Sequence, residues 1–184
     1  MIQSRRGDVQ WIDSALSRFE GQLLRYASRL LGDVERARDV VQDTFLRLCR
    51  EDPVRLDGHL AQWLFTVCRN RVLDVRRKEG RVQRLDEAAL IEQASSAPSP
   101  SRVLEEREAL QCALEVLATL PASQQEVLRL KFQGGLNYQE ISTVTGLTVN
   151  HVGVLVHNGI KTIRMRLGQA SRRAGTQEDV DDRS

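Results

Sequence analysis

Residues 137–167 have the sequence NYQEISTVTGLTVNHVGVLVHNGIKTIRMRL, and this stretch decides the fold of the second half of the chain. Asn137 followed three residues later by Glu140 is a capping-box pattern, which starts a helix. Gly146 can take the positive φ angle of a tight turn, and Thr148 can cap a second helix directly after it. The stretch therefore predicts a helix-turn-helix, a motif whose second helix enters the major groove of DNA.

Side chains around the turn support this motif. Ser142 is small enough to let the two helices approach, and apolar residues occur before, within and after the turn: Ile141, Leu147, Val152 and Leu155. An ordinary helical hairpin with a glycine turn is the structural alternative. In a helix-turn-helix, the candidates for DNA contact are the outward polar residues of the second helix: Asn150, His151, His157, Asn158, Lys161, Arg164 and Arg166.

These candidates differ in the contact that they can make. Asparagine can form two hydrogen bonds to adenine, so Asn150 and Asn158 suit a base edge. The three cations, Lys161, Arg164 and Arg166, suit phosphate. The two histidines fit a solvated helix face equally well.

The rest of the chain also has helical patterns. Apolar residues recur at three- and four-residue intervals over 12–31, 37–48 and 60–75, without the alternation of a strand. Gly32 and Pro53 end the first two patterns, and Asp57 can cap the third. The first half predicts a bundle of about three or four helices. In the second half, Ser123 with Glu126 forms another capping-box pattern.

A segment rich in small residues and proline separates the two halves. It ends in ASSAPSPS at 94–101, a composition typical of a flexible linker. We therefore predict an all-α fold with two small helical domains joined by a flexible linker, the second with a helix-turn-helix. The predicted boundaries are 10–80 for the first domain, 81–103 for the linker, 104–170 for the second domain and 171–184 for a disordered acidic tail.

Composition narrows the class of protein. With 184 residues, of which 41% are hydrophobic and 28% charged, the chain suits a soluble globular protein. Cys49, Cys68 and Cys112 lie far apart in apolar helical patterns, which predicts buried thiols rather than a disulfide framework or a zinc site. We expect a cytoplasmic location with no export signal and no membrane insertion, and neither a metal nor another cofactor.

Positive charge is concentrated in one segment of the first half. The net charge of +2 does not by itself indicate a nucleic-acid partner. After Trp63, however, only Asp74 and Glu79 oppose a run of basic residues: Arg69, Arg71, Arg76, Arg77, Lys78, Arg81 and Arg84. Such a cluster is typical of a phosphate-binding surface, although a solvated helix end has the same composition. Two DNA-facing modules on one tether indicate two sites on one duplex.

In their order, these motifs resemble those of bacterial sigma factors of the extracytoplasmic-function (ECF) type, over about residues 16–167. Residues 39–48, DVVQDTFLRL, are similar to the helix with which the family binds core RNA polymerase. Residues 63–71, WLFTVCRNR, are similar to its promoter-melting and −10-recognition segment. Leu120-Pro121 followed by the helix-turn-helix is similar to its −35-binding domain.

The resemblance implies an alternative sigma factor that docks on core RNA polymerase, recognises −10 and −35 promoter elements and initiates transcription of a specific regulon. Contacts with the clamp coiled coil of the β′ polymerase subunit would come from Asp39, Gln42, Asp43, Phe45 and Arg47. Contacts with the −10 element would come from Arg69, Asn70, Asp74, Arg76, Arg77, Lys78 and Arg81. Contacts with the −35 element would come from Thr148 and the outward polar residues of the second helix. Trp63 is interpreted as a core residue rather than as a platform on which bases stack. For Phe45 and Val41 the alternative is a plain core position, which we favour for Val41.

The second helix of the motif departs from the family pattern. Many members carry more Lys or Arg where this chain has GVL at 153–155 and NGI at 158–160. Fewer phosphate contacts predict weaker −35 binding with a flatter salt dependence. Gly153 and Gly159 should each cost the helix up to roughly 1 kcal/mol relative to alanine. We therefore hypothesise that an apolar face of this helix is partly reserved for an anti-sigma factor, through Val154, Val156 and Ile160.

Two other classes of protein are considered. A stand-alone dimeric DNA-binding regulator would explain the helix-turn-helix but would leave residues 39–48 and the basic run without a role. A nuclease would need paired carboxylates at metal spacing, a glycine-rich phosphate loop or a nucleophile with its base. Asp39 and Asp43, four residues apart, fit one helix face equally well, so we expect a protein that is not an enzyme.

Overall fold

The computed structural model describes the backbone of residues 2–82 and 113–181 and the side chains of residues 10–78 and 113–169. Every regular element in these ranges is a helix, which confirms the predicted all-α class. The first half contains α1 (Ile2–Leu31), α2 (Val34–Leu48), a 3-10 turn (Pro53–Leu56) and α3 (Leu60–Val82). The second half contains α4, described over 113–118, then α5 (Ala122–Phe132), α6 (Tyr138–Thr145) and α7 (Val149–Asp181). Apart from its first two residues, the predicted linker lies outside the described ranges.

The described residues fall into two compact units. The first unit holds α1, α2 and α3 together with Leu130–Leu147, and therefore includes α6. The second unit holds α4, most of α5 and α7. The segment Leu130–Leu147, which the sequence places in the second domain, thus packs as part of the first compact unit.

Aromatic packing lies at the centre of the first unit. Leu23 and Tyr26 of α1 and Phe65 of α3 are at most 1% exposed. The rings of Tyr26 and Phe65 meet edge to face with centroids 5.4 Å apart, an arrangement that the ring quadrupoles favour. Gly134 packs against the same ring, because a Cβ atom there would lie 3.1 Å from two carbons of Phe65. A larger residue at 134 would push this segment away from α3.

A glycine and an aspartate mark the boundary between α1 and α2. Gly32 ends α1 with a φ angle of 71°, as the sequence predicts. The carboxylate of Asp33 then accepts hydrogen bonds from the backbone amides of Glu35 and Arg36 at 2.9 and 3.2 Å, which caps α2.

The connection between α2 and α3 differs from the prediction. Pro53 does not end α2, which stops earlier at Leu48, but begins the 3-10 turn. Asp52 caps this turn by accepting from the amide of Val54. Asp57 follows the turn and α3 starts only at Leu60, so the prediction that Asp57 caps α3 is wrong.

The start of α5 also differs from its predicted form. The helix begins at Ala122, so Ser123 lies within its first turn and is not its cap. The side-chain amide of Gln125 instead donates to the carbonyl oxygens of Ala118 and Leu120 at 3.0 and 2.8 Å. These two bonds satisfy carbonyl groups left at the end of α4.

The last helix is longer than the sequence predicts. α7 continues to Asp181 and so passes through the segment expected to be a disordered acidic tail. Residues 168–181, GQASRRAGTQEDVD, contain no proline to end the helix, although two glycines, Gly168 and Gly175, lower its intrinsic propensity. Residues 182–184 lie outside the described range.

The cysteines do not all have the predicted burial. Cys68 is buried, and burial raises the pKa of its thiol to about 12 against the opposing effect of a hydrogen bond with Thr44. Cys49 is exposed, because it follows the end of α2 and has left the buried face. The prediction of a buried thiol is therefore wrong for Cys49, and Cys112 lies outside the described residues.

Candidate nucleic-acid interface

The turn before α7 has the local geometry that the sequence predicts. Asn137 Oδ1 accepts from the amide of Glu140 at 2.9 Å, and the Glu140 carboxylate accepts from the amide of Asn137 at 2.7 Å, so the capping box is complete. Gly146 ends α6 with a φ angle of 77°, in the left-handed region that glycine adopts without strain. Ser142 adds a bond that its small size did not predict, because its hydroxyl donates to the carbonyl oxygen of Leu147 at 2.6 Å.

Thr148 begins α7 as predicted. Its hydroxyl oxygen accepts from the amide of His151 at 3.3 Å, and its carbonyl oxygen accepts from the amide of Val152 at 3.0 Å. The hydroxyl proton of this exposed residue can still be donated outward. Thr148 is therefore first a helix cap and only in addition a candidate for phosphate contact.

The predicted DNA-facing residues of α7 all reach solvent. Exposed side chains are Asn150, His151, His157, Asn158, Lys161, Arg164 and Arg166. The described side chains of this helix, residues 149–169, include three cations and no Asp or Glu. Arg166 already donates one hydrogen bond within the protein, from its Nη1 to Thr119 Oγ1 at 2.8 Å. Charge of one sign over residues 149–169 suits a phosphate backbone.

The apolar residues of α7 do not form the exposed face that we hypothesised for an anti-sigma factor. Val156 is 2% exposed and therefore belongs to the core, and Ile160 is half-buried. Val152 and Leu155 are also buried. Val154 is 55% exposed and points away from this core. The hypothesis is therefore wrong for Val156.

Gly159 has a packing role that the sequence did not reveal. A Cβ atom at this position would lie 2.7 Å from Leu128 Cδ1 and 3.6 Å from Leu120 Cδ1. The glycine thus lets α7 approach α5 and the turn before it more closely than alanine would. From the sequence, Gly159 could be assigned only the free-energy cost of a glycine in a helix. Its packing role depends on neighbours across the helix interface, which the sequence does not reveal.

On α2, the residues predicted to bind polymerase fall into two groups. Asp39, Gln42 and Arg47 are exposed. Asp43 is half-buried and pairs with Arg71 of α3, whose Nε and Nη2 atoms lie 2.8 and 2.7 Å from its Oδ2. This pairing also removes Arg71 from the free basic run.

Burial on α2 changes which side chains can reach a partner. Phe45 is 6% exposed and packs in the core of the first unit, which argues against a direct contact with polymerase. Leu46, which is not among the predicted contact residues, is 54% exposed. It lies seven residues after Asp39 and four after Gln42, hence on the same helix face.

On α3, the predicted −10 residues again differ in accessibility. Asn70, Arg76, Arg77 and Lys78 are exposed, whereas Arg69 and Asp74 are half-buried. Asp74 forms an ion pair with Arg77, so one of the cations is partly neutralised. The side chain of Arg81 lies outside the described residues, and Trp63 is half-buried rather than fully in the core.

The described residues offer neither a metal-binding cluster nor a membrane-spanning helix. Their side chains contain no cluster of three or more His, Cys, Asp and Glu residues that could hold a metal ion. None of the described helices has the length and hydropathy required to cross a membrane.

Comparison with known proteins matches both halves of the chain to one family. Residues 16–82 match Sigma-70 region 2, and residues 110–163 match Sigma-70, region 4. The ECF RNA polymerase sigma factor SigL of Mycobacterium tuberculosis is 33% identical over 149 residues, which cover 79% of this chain and 82% of SigL. The ECF RNA polymerase sigma factor EcfG of Rhodopseudomonas palustris is 31% identical over 131 residues, 71% of this chain and 70% of EcfG.

A solved structure has the same fold. The sigma factor RpoE from Bartonella quintana, in complex with the anti-sigma factor NepR, superposes with a TM-score of 0.65 and is 24% identical. The match covers 85% of this chain and 96% of RpoE. The family matches and the relatives that exceed 30% identity show that the chain belongs to the ECF RNA polymerase sigma factors of the sigma-70 family.

Proposed function

We propose that this alternative sigma factor docks on core RNA polymerase through the exposed face of α2, contacts the −10 element through α3 and recognises the −35 element through α7. The observation that carries the proposal is that residues 149–169 of α7 carry three cations and no carboxylate, directly after a complete capping box and a glycine turn. Membership of the family supplies the initiation role, and the residues below supply its contacts.

The docking face on α2 consists of Asp39, Gln42 and Leu46, with Arg47 at its edge. An exposed leucine beside a carboxylate suits a coiled coil that offers both apolar and basic side chains. Asp43 contributes indirectly, because its bond with Arg71 ties α2 to α3. Phe45 supports the helix from the buried side.

The −10 contact is proposed for the exposed residues of α3. Arg76, Arg77 and Lys78 can neutralise phosphates, and Asn70 can bond a base edge once the strands separate. Arg69, Asp74 and Arg81 remain proposals of the same kind, with Asp74 acting through its ion pair with Arg77.

The −35 contact is proposed for α7. Asn150, His151, His157 and Asn158 lie in its first three turns, the part of a recognition helix that contacts base edges. Lys161, Arg164 and Arg166 follow and suit phosphate, with the hydroxyl of Thr148 as a further donor.

Control by an anti-sigma factor is also proposed. The relative from Bartonella quintana was solved in complex with the anti-sigma factor NepR. We propose that the present chain acts in the cytoplasm, is held by such an inhibitor and carries out no catalysis itself, since RNA synthesis belongs to the polymerase.

The docking face provides the test. Leu46→Arg should abolish co-elution of the full chain with core polymerase, because it places a cation at the apolar centre of the face. Val34→Arg is the matched control, since Val34 is on the same helix, is 50% exposed against 54% for Leu46, and lies off that face. Equal co-elution of both variants would contradict the assignment of this face, and no co-elution of the wild type would contradict the proposed function.

A further inference from the structure

Residues 152–156 of α7 include four apolar side chains, and their exposure separates one from the others. Val152, Leu155 and Val156 are 0%, 8% and 2% exposed, so all three belong to the core. Val154 stands between them in sequence and is 55% exposed. Packing within the protein therefore does not account for a valine at 154.

The surroundings of Val154 are polar or cationic. Asn150 precedes it by four residues, and His157 and Asn158 follow it by three and four, so all are neighbours on one helix face. Lys161 continues this face, and no carboxylate occurs among the described side chains of the helix. Such a face complements the negative potential of a DNA groove.

We propose that Val154 contacts the C5-methyl group of a thymine in the −35 element. This inference rests on the proposed function of α7 as the recognition helix. In the major groove the thymine methyl is the apolar feature of a base pair, whereas the other features are hydrogen-bond donors and acceptors. A valine offers no donor or acceptor, so the methyl group is the feature it can select.

Helix geometry gives the position of this thymine. Four residues advance an α-helix by about 6 Å, and stacked base pairs are about 3.4 Å apart. Val154 therefore contacts a thymine within about two base pairs of the base that Asn150 bonds. If Asn150 bonds an adenine, the −35 element contains an adenine and a thymine within about two base pairs of each other.

The test uses the holoenzyme formed from core polymerase and the full chain. Its −35 elements are first selected by transcription from duplexes with a randomised upstream region. Each thymine of a selected element is then replaced in turn by deoxyuridine, which keeps the base pair but lacks the methyl group. At one position, this replacement should lower the affinity of the wild-type holoenzyme for the duplex about four-fold, which is the change expected for the loss of one buried methyl group.

Two variants assign the effect to its residue. The ratio of the affinity for the thymine duplex to that for the deoxyuridine duplex is called the thymine-to-uracil ratio. Val154→Ala should bring this ratio close to one at that position, while the other positions keep their wild-type ratios. Met165→Ala is the matched control, because Met165 is 56% exposed on the same helix but lies about 16 Å further along its axis. Its ratios should equal those of the wild type.

Three outcomes would overturn the inference. The first is a Val154→Ala holoenzyme that keeps the full thymine-to-uracil ratio at every position. The second is a wild-type holoenzyme without any such ratio. The third is a Val154→Ala variant that loses affinity for a protein inhibitor while its ratios stay unchanged, which would assign the residue to a protein contact. A failure of the proposed function can be told apart from these three outcomes, because it would leave no transcripts from which to select −35 elements. That result would overturn the inference as well.

Discussion

Substitution of two glycines of α7 by alanine should change stability in opposite directions. Gly159 lies at the contact between α7 and Leu128 of α5, where a Cβ atom would be 2.7 Å from Cδ1 and 3.3 Å from Cγ. Gly168 lies on the same helix with no atom within 4 Å of its Cβ position. Both changes give the same gain in helix propensity, so the difference between them isolates the packing effect.

The magnitudes follow from these distances. Alanine in place of glycine in a helix interior gains up to about 1 kcal/mol. At Gly159 the added methyl meets two atoms of Leu128, which is itself 3% exposed and cannot turn into solvent, and overpacking of this kind costs about 1–3 kcal/mol. We expect Gly159→Ala to lower the free energy of unfolding by about 1 kcal/mol net and Gly168→Ala to raise it by up to about 1 kcal/mol.

Thermal unfolding followed by circular dichroism measures both effects. A change of about 1 kcal/mol in the free energy of unfolding moves the thermal midpoint of a domain of about 60–100 residues by roughly 4–8 °C. Gly159→Ala should lower the midpoint and Gly168→Ala should leave it unchanged or raise it. A Gly159→Ala protein with a midpoint at or above that of the wild type would refute the close helix contact.

Three further predictions concern other residues. Asn137→Ala should lower the free energy of unfolding by about 1 kcal/mol, because it breaks the capping box, and Asn137→Ser should restore most of it; equal midpoints for alanine and wild type would refute the cap. Because burial raises the pKa of the Cys68 thiol to about 12, this thiol is almost entirely protonated at pH 8, so a thiol reagent should label the exposed Cys49 quickly and Cys68 only as fast as the protein unfolds. Peptide-resolved labelling of both cysteines at one rate would contradict this. The pair of Asp43 and Arg71, with side chains 41% and 32% exposed, should give a salt-sensitive coupling of at most about 1 kcal/mol in a double-mutant cycle, and no coupling would show that it does not hold α2 to α3.

The sequence predicted the features that depend on neighbours along the chain. The all-α class follows from apolar spacing, and the turn before α7 follows from Asn137, Gly146 and Thr148. Each of these acts on backbone groups within a few residues, so its pattern is complete in the sequence. The order of the motifs along the chain is likewise complete in the sequence, and it carried the family resemblance.

Features that depend on tertiary contacts were missed or misplaced. Phe45 follows the apolar periodicity of residues 37–48, and only the family resemblance implied that it contacts polymerase; it is buried, whereas Leu46 beside it is exposed. Apolar identity alone does not tell which side of a helix a neighbouring helix covers. Gly159 carries the same limitation, since its partner Leu128 is 31 residues away in sequence.

The predicted ends of the elements failed where two signals competed. Ser123 has the form of a cap, but the side chain of Gln125 bonds the preceding carbonyl groups and α5 starts one residue before the serine. Composition likewise suggested a disordered tail, whereas α7 continues to Asp181. Local patterns predict that an element exists more securely than they predict where it ends.

Run-off transcription tests the central claim most directly. Purified core polymerase should produce promoter-dependent transcripts from genomic fragments only when this chain is added, and the free chain should bind the same fragments weakly because its two DNA-contacting surfaces are not yet held by polymerase. The account would be contradicted if no fragment gave a transcript that requires the chain, or if the free chain bound these fragments as tightly without polymerase as with it.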